Sequence, residues 1–354
     1  MLSGATIKNL LRVDKMPPLK GGIVSCKPGS SPSITSRILR FALVFVLSFN
    51  HTELPIFIDH SIGTCAKDIS RKTPGGFKLI SCCPLNGQMV AELQSAERAP
   101  QIGRNELFIH YTLPVEGDSE LIMIQRLDDC IDLDDFEISN RHGIDTTGLV
   151  CCWPSEDALA YFCIENGKMF RSKRVLELGS GYGLAGLAIA ANTDAFEVVI
   201  SDGNPQVIDY VQRNIDINAS TFKDTKVKSM ILHWSQEHSS EMLNRFDFII
   251  ASDCTFFKEF HKSLAQTVKS LLKNSEASEA IFLSPRRGDS LTKFLVKIKD
   301  SGLDYELVEN YNGRIWSLHQ KLRSEGNSSW PNYDEDHCYP LLLRIVFPKT
   351  RDYP

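Results

Sequence analysis

The chain has 354 residues, 42% hydrophobic and 23% charged, which is long enough for a soluble protein with a large core. Lys plus Arg number 39 against 44 for Asp plus Glu, a net charge of −5, which excludes a strongly basic nucleic-acid coat and an acidic solvating chain. No apolar run reaches the roughly 18 residues that a membrane-spanning helix needs, so we expect no membrane-spanning helix.

The first part of the chain is predicted as two regions that precede a larger domain. Residues 1–69 are predicted to be disordered or targeting-like, because the first 52 residues hold seven Lys/Arg and one acid and an atypical apolar stretch covers 43–66. Residues 70–147 form a small β-containing region. Within it, alternating apolar segments at Glu106–Thr112 and Glu120–Gln125 flank a Pro/Gly turn, which predicts a β-hairpin.

From residue 148 to 354 the pattern changes to a regular alternation of strands and helices. Seven apolar segments are predicted strands: 174–178, 196–201, 227–232, 246–251, 280–283, 303–308 and 341–347. Helices are predicted over 155–166 with Ser155 as cap, over 184–192, from 204, over 258–273, and after a cap at Asp289. This alternation predicts an α/β domain with a mostly parallel sheet and helices on both faces.

Ten cysteines bear on metal binding and on the redox compartment. No C-x-x-C occurs, and two pairs, Cys82–Cys83 and Cys151–Cys152, are directly adjacent, whereas zinc sites need ligands spaced on a turn. We therefore expect no metal site and reduced thiols in a reducing compartment.

A glycine-rich turn between the first predicted strand of this domain and the next helix is the strongest motif. Glycines at 179, 181, 183 and 186 allow a tight turn and close approach of the backbone to a ligand. Asp202 ends the following strand and is placed to accept hydrogen bonds from both ribose hydroxyls of a nucleoside.

Two cofactors compete for this turn. Gly181-x-Gly183-x-x-Gly186 matches the dinucleotide fingerprint, and Asp202 follows at the expected distance. Glu177, however, lies inside the strand and gives E-x-G-x-G, where a carboxylate answers the positive methionine end of S-adenosylmethionine but repels a pyrophosphate. S-adenosylmethionine, and with it a class I methyltransferase, is favoured.

Aromatic and acidic residues are predicted at the carboxyl edge of the sheet. Trp153 and Trp234 are candidates to stack on adenine or line the methionine, although each could instead be core. Ser252 and Asp253 end the fourth strand, followed by Phe256 and Phe257. A carboxylate beside aromatic faces suits a lysine substrate, and the alternative is a helix cap beside core phenylalanines.

Together, Trp153, the E-x-G-x-G turn, Asp202, Trp234 and Asp253-x-x-Phe256 resemble the seven-strand lysine methyltransferases of the family-16 group. The segments 150–161, 284–288, 309–311 and 339–343 resemble the calmodulin-lysine methyltransferases within that group. The resemblance implies a class I, Rossmann-like fold, S-adenosylmethionine as cofactor, calmodulin as substrate, trimethyllysine as product, and Asp253 and Phe256 as catalytic residues. The implied cofactor-binding residues are Trp153, Glu177, Gly179, Gly181, Gly183, Asp202, Trp234 and Ser252.

The sequence also departs from the family and leaves alternatives open. Family members often have Tyr at the position of Phe256, so a hydroxyl that could bond the substrate nitrogen is absent. Residues 255–325 carry 12 Lys/Arg and 9 Asp/Glu, a balance of +3. Arg286 and Arg287 in this basic segment are therefore candidates to dock acidic calmodulin, or else belong to a solvated loop.

The remaining alternatives concern the substrate and the setting. The same pocket permits another protein lysine, and a catalytically silent cofactor-binding module is a further alternative. A nucleic-acid methyltransferase is disfavoured, because no N-P-P-Y-type motif and no strongly basic face occur. We expect no nucleic-acid or membrane partner and a monomer. The resemblance implies cytoplasm and nucleus, with an organelle as the alternative because of the basic residues 1–52.

Overall fold

The structure is a computed structural model. It describes residues 76–86, 88–90, 106–115, 119–127, 133–144, 147–150, 152–324, 330 and 333–349. The predicted N-terminal region 1–69, with its apolar stretch, lies outside the described residues. No helix in the described part of the chain has the length and apolar character needed to cross a membrane.

A small antiparallel sheet precedes the catalytic domain. It has the order β1 (Ser81–Pro84), β2 (Glu106–Thr112), β3 (Glu120–Arg126). The pairing of β2 with β3 confirms the predicted hairpin. Strand β1 was not predicted, because Ser-Cys-Cys-Pro has no alternation and all four residues are exposed. It forms only by pairing with the edge of β2, Cys82 opposite Tyr111.

The larger sheet has seven strands, as predicted, in the order β6-β5-β4-β7-β8-β10-β9. Their bounds are β4 Arg174–Leu178, β5 Glu197–Asp202, β6 Lys226–Ile231, β7 Phe248–Ser252, β8 Glu279–Ser284, β9 Asp304–Val308 and β10 Leu341–Val346. Strands β4 to β8 are parallel, and β10 is antiparallel to both of its neighbours. This is the mostly parallel sheet that the strand–helix alternation predicts.

Helices cover both faces of the sheet, which confirms the prediction. They are α1 Leu133–His142, α2 Thr147–Val150, α3 Pro154–Glu165, α4 Leu184–Asn192, α5 Pro205–Ile217, α6 His261–Leu271, α7 Ser290–Asp300, α8 Gly313–Ser324 and α9 Glu335–Cys338. Successive side chains of a strand point to opposite faces, so Val175 packs with helices α3, α4 and α5 while Leu176 packs with α6 and α7.

Two predicted helix caps are wrong in their chemistry. Helix α3 begins at Pro154 with Trp153 as the N-cap residue, so Ser155 lies inside the helix and its hydroxyl donates to Asp253 Oδ2 at 3.4 Å. Asp289 occupies the N-cap position of α7 but makes no side-chain cap bond. Its carboxylate instead pairs with Lys258 and Lys293, because ion pairing competes for the same oxygens.

The connection between β9 and β10 contains helices α8 and α9, which the sequence did not predict. It packs through aromatic rings: His319 stacks on Tyr339 at 4.0 Å, and Trp330 meets Phe77 edge-on at 5.6 Å. These contacts join the connection to the segment before β1. Asp336 of α9 thereby lies beside the loop that follows β8, where it accepts from the backbone N–H groups of residues 287 and 288.

Candidate active site

A cavity lies at the carboxyl ends of the parallel strands. Each of four neighbouring strands contributes the residues at its carboxyl end, as expected for ligand binding in open α/β sheets. Those lining residues that the sequence predicted as site residues are Trp153, Gly179, Asp202, Trp234, Ser252, Asp253, Phe256 and Arg287.

The glycine turn after β4 requires glycine for two different reasons. Gly179, Gly181 and Gly183 all have positive φ, at 59°, 53° and 82°. A Cβ on Gly179 would lie 2.7 Å from Cys254 Sγ, and one on Gly183 would lie 2.9 Å from Ile200 Cγ2. Gly179 therefore lines the cavity, whereas Gly181 and Gly183 shape the turn from behind and do not line it.

Asp202 lies at the end of β5 and faces the cavity, as predicted. Its Oδ2 accepts from Gly181 N–H at 3.2 Å, and its Oδ1 accepts from Asn204 N–H at 2.9 Å. A carboxylate is a hydrogen-bond acceptor, which is the type of group that binds a ligand's hydroxyls. The same residue thus fixes the glycine turn and presents an acceptor to the cavity.

Glu177, which was predicted to answer the methionine end of the cofactor directly or through water, does not line the cavity. Its side chain is 1% exposed, and Oε2 accepts from Gly186 N–H at 2.9 Å. Glu156 of α3 similarly accepts from Leu184 N–H at 3.4 Å. Glu177 follows Val175 by two residues, so both side chains point to the α4 side of the sheet. The carboxylate of Glu177 therefore reaches the first turn of α4 rather than the sheet edge.

Burial and mutual repulsion perturb these two carboxyls. Desolvation raises the pKa of Glu156 to about 7. Desolvation, and secondarily the nearby Glu156, hold the pKa of Glu177 well above its ordinary value. The two acids therefore retain protons at a pH at which exposed carboxyls are ionised.

The capped helix decides between the two candidate cofactors. A dinucleotide pyrophosphate binds the unpaired N–H groups at a helix N-terminus, but Glu156 and Glu177 already accept from two of those groups in α4. Aromatic walls and the Asp202 carboxylate remain, and these suit an adenine, a ribose and a sulfonium. The residues present fit S-adenosylmethionine and not a dinucleotide.

Aromatic side chains form much of the cavity wall. The ring of Trp234 lies over Gly179, since a Cβ there would be 3.2 Å from Trp234 Cζ2. Trp234 also meets Phe260 edge-on at 6.0 Å, and Phe256 meets Phe257 at 4.8 Å. The hypothesis that the tryptophans belong to the site rather than to the core agrees with these positions.

Asp253, directly after β7, forms a buried ion pair with Arg287 from the loop after β8. Arg287 Nε donates to Oδ1 at 2.9 Å and Nη2 donates to Oδ2 at 2.6 Å, with side-chain exposures of 4% and 5%. The guanidinium carbon lies 4.7 Å from the Trp153 ring centroid and 4.9 Å from that of Phe256. An arginine thus occupies the aromatic and acidic surroundings predicted for a lysine.

The two adjacent arginines lie in different environments. Arg287 is buried in the cavity wall, so its prediction as a surface docking residue is wrong in its placement: pairing with Asp253 outweighs its tendency to remain solvated. Arg286 points outward with 46% exposure of its side chain and pairs with Glu309 at 3.2 Å. Only Arg286 is available at the surface.

Several wall residues were not predicted from the sequence. A short segment around α2 contributes to the wall, and Tyr182 Oη donates to Leu149 O at 2.5 Å, which ties α2 to the glycine turn. No periodic pattern signals so short a helix. By contrast, His233 follows β6 just before Trp234, a position that the strand ends alone could have indicated. The unpredicted residues are Gly143, Ile144, Thr147, Gly148, Gly203, Val207, Leu232, His233, Ser235, Cys254 and Phe260.

Comparisons with known proteins agree with this site. A profile described as lysine methyltransferase matches residues 134–301. Calmodulin-lysine N-methyltransferase of Arabidopsis thaliana is 56% identical over 289 residues, covering 81% of this chain and 91% of that protein. Protein-lysine N-methyltransferase EEF2KMT of Mus musculus is 28% identical over 218 residues, covering 58% of this chain and 59% of that protein.

Two solved structures align at low similarity. A TehB-like SAM-dependent methyltransferase from Corynebacterium glutamicum is 17% identical with a TM-score of 0.37, covering 61% of this chain and 95% of that one. An S-adenosylmethionine dependent methyltransferase from Mesorhizobium loti is 13% identical with a TM-score of 0.39, covering 53% and 97%.

Membership of a family is decided by the Arabidopsis relative, whose identity of 56% extends over most of both chains. The profile match to residues 134–301 includes the glycine turn, Asp202 and Asp253. The cavity independently fits the methyl donor of that family. The chain belongs to the lysine methyltransferase family, and S-adenosylmethionine is its cofactor.

Proposed function

We propose that the chain transfers methyl groups from S-adenosylmethionine to the side-chain amine of a lysine in calmodulin, with trimethyllysine and S-adenosylhomocysteine as products. The observation that carries the lysine assignment is that Asp253 lines the same cavity as Trp153, Phe256 and Phe257 at the carboxyl edge of the sheet. The choice of calmodulin is supported by the Arabidopsis relative, which bears the name of that activity and is 56% identical.

The chemistry requires a neutral amine in line with a methyl group. S-adenosylmethionine, when bound, supplies a methyl group on a positively charged sulfur. A lysine amine has an ordinary pKa near 10.4, so its neutral form at pH 7 costs about 4–5 kcal/mol. Transfer into a pocket walled by Trp153, Phe256 and Phe257 disfavours the ammonium and lowers that cost. No covalent nucleophile on the protein is needed, because positioning supplies the remaining effect.

Four residues of the chain are assigned to contacts with the cofactor and with the substrate lysine. Asp202 presents acceptors for ribose hydroxyls at the end of β5, and Trp234 lies over the glycine turn. Phe256 offers an apolar face to the alkyl stem of a lysine but, lacking a hydroxyl, no hydrogen bond to its nitrogen. Asp253, held by Arg287, lines the same cavity as this face.

Arg286 is the better of the two predicted docking residues for contact with an acidic protein substrate. At least eight of the twelve Lys and Arg in 255–325 form ion pairs with other described residues, which leaves less of the +3 balance for a partner than the sequence indicated. Arg286 is among them, but its partner Glu309 is itself half exposed, and such surface pairs contribute about 1 kcal/mol or less. An acidic protein can therefore displace Glu309.

Transfer of radiolabelled methyl groups to purified calmodulin tests the proposal. The wild-type chain should label calmodulin, and mass spectrometry should place the label on lysine. Asp253→Ala should lower turnover while cofactor binding persists in calorimetry. No label from a chain that binds cofactor would reject calmodulin, and labelling of a different purified protein would then support the alternative substrate. Cofactor binding with no labelled protein in a cell extract would support the silent module.

We further propose that the enzyme acts as a monomer in the cytoplasm and nucleus, without nucleic-acid or membrane partners. The family resemblance and the ordinary net charge support this setting. Fluorescent fusions at each terminus separate it from the organellar alternative, since only an N-terminal fusion would mask a targeting signal.

A further inference from the structure

The pocket proposed for the substrate lysine already contains a cation, the guanidinium of Arg287. The carboxylate and the two aromatic faces expected to receive a substrate ammonium instead surround the Arg287 guanidinium, at 2.6–2.9 Å from Asp253 oxygens and 4.7–4.9 Å from the rings of Trp153 and Phe256. Both oxygens of Asp253 accept from Arg287, and Ser155 donates to one of them at 3.4 Å. The carboxylate is therefore oriented and its charge is compensated before any substrate arrives.

The backbone holds this pair under strain. Asp253 has φ 55° and Arg287 has φ 47°, conformations that side chains other than glycine rarely adopt. Asp336 of α9 holds the second of these turns: its carbonyl accepts from Arg287 N–H at 2.8 Å, and its carboxylate accepts from Gly288 N–H at 2.6 Å. Such strain in both partners of one ion pair is typical of a functional site rather than of a fold-stabilising contact.

We propose that Arg287 is a positioning residue for lysine methylation: it fixes the Asp253 carboxylate and cancels its charge, so that the substrate amine is bound neutral rather than as an ammonium. The inference rests on the proposed lysine-methyltransferase function. Without the guanidinium, a bare carboxylate in an apolar pocket would stabilise the ammonium form of the substrate lysine and raise its pKa. That form has no lone pair with which to attack a methyl group.

Other charged and titratable groups surround the pair and stay in place in the variants below. Cys338, on α9, has its pKa raised to about 11 by burial, so it remains a thiol. The groups that face the pair or share its cavity from neighbouring elements are Asp202 at the end of β5, His233 after β6, Cys254 after β7, and Asp336 and Cys338 on α9. None of them bonds both oxygens of Asp253 as Arg287 does.

The test is the pH dependence of kcat at saturating cofactor, with calmodulin as substrate, because kcat reports ionisations in the bound complex. Arg287→Gln should move the midpoint of the rise in kcat upward by about one pH unit, which lowers kcat about tenfold at neutral pH and restores much of it in alkali. KM for calmodulin should not rise. Asp253→Asn combined with Arg287→Gln should return the midpoint towards the wild-type value.

Controls separate this role from a structural one. Arg344→Gln removes another arginine–carboxylate pair away from the cavity, in which Arg344 Nη1 donates to both oxygens of Glu279 at 2.9 and 3.1 Å, and it should leave the midpoint unchanged. Arg287→Lys keeps the charge but loses the fork, so it should lower kcat without moving the midpoint. Should Arg287→Gln fail to fold, the double variant carries no uncompensated buried charge, and it and Arg287→Lys complete the test.

Three results would overturn the inference. The first is an Arg287→Gln chain whose kcat falls by the same factor at every pH while its cofactor affinity is normal. The second is a double variant whose midpoint remains raised. The third is a midpoint shift in Arg287→Lys as large as that in Arg287→Gln. Failure of the proposed function differs from all three, since the wild-type chain would then label no calmodulin at any pH.

Discussion

Glu156→Gln should stabilise the protein at alkaline pH, because the carboxyl is buried beneath the glycine turn. Its pKa of about 7 lies above the ordinary value of about 4.5, so the folded chain binds the proton more tightly than the unfolded chain. Its contribution to stability is therefore complete below about pH 4.5 and is lost as the pH rises through 7. The difference corresponds to about 3 kcal/mol at pH 8.

The substitution is nearly isosteric and keeps the acceptor that meets Leu184 N–H at 3.4 Å. We expect the free energy of unfolding of Glu156→Gln to match that of the wild type near pH 5 and to exceed it by up to about 3 kcal/mol at pH 8. Urea unfolding followed by circular dichroism at pH 5, 6, 7 and 8 measures this. Glu165→Gln, at the exposed end of the same helix, is the matched control and should show no such divergence.

The result that would refute this reasoning is a pair of parallel curves, in which Glu156→Gln and wild type lose the same stability between pH 5 and 8. The buried carboxyl would then be solvated, or its proton would be shared differently with Glu177. Since Glu177 is unchanged in the variant, its own raised pKa should leave a residual decline in both chains.

Three further predictions concern the cavity and the surface. Asp202→Ala should abolish cofactor binding in calorimetry, and an unaltered affinity would contradict its assigned role. Gly186→Ala should cost about 2 kcal/mol in urea unfolding, because a Cβ would lie 2.5 Å from Glu177 Oε2, whereas Gly313→Ala, with nothing within 4 Å, should be neutral. Arg286→Glu should raise KM for calmodulin and flatten its salt dependence, and an unchanged KM at low salt would count against docking there.

The sheet could be predicted because its buried strands, such as Arg174–Leu178 and Phe248–Ser252, are short apolar runs between loops. Strand Arg174–Leu178 and helix Leu184–Asn192 occur with the predicted bounds. The glycines between them mark both the end of the buried strand and the start of the helix. Strand β1 and helices α8 and α9 could not be predicted, because their stability comes from pairing with β2 and from rings such as His319 and Tyr339, which are distant in sequence from the partners they meet.

The site residues divide in a similar way. Position at a strand end predicted that Asp202, Trp234 and Asp253 would line one cavity, because parallel strands end at the same edge. The strand ends did not indicate in which direction each side chain points or with which residue it pairs. The spacing of two residues between Val175 and Glu177 could have indicated that the Glu177 carboxylate faces a helix. No local signal announces the bond between Asp253 and Arg287, which lie 34 residues apart.

Side chains of the protein itself already occupy binding groups on two sides of the site. At the glycine turn, Glu156 and Glu177 accept from two N–H groups at the N-terminus of α4, so an anionic cofactor finds fewer donors there. At the opposite wall, Arg287 fills the cation site of Asp253, so a charged amine finds no free carboxylate. Bonds within the chain thus favour a cofactor that is not anionic and an acceptor amine that is uncharged. Methyl transfer needs that combination, since only a neutral amine can attack a sulfonium-bound methyl group.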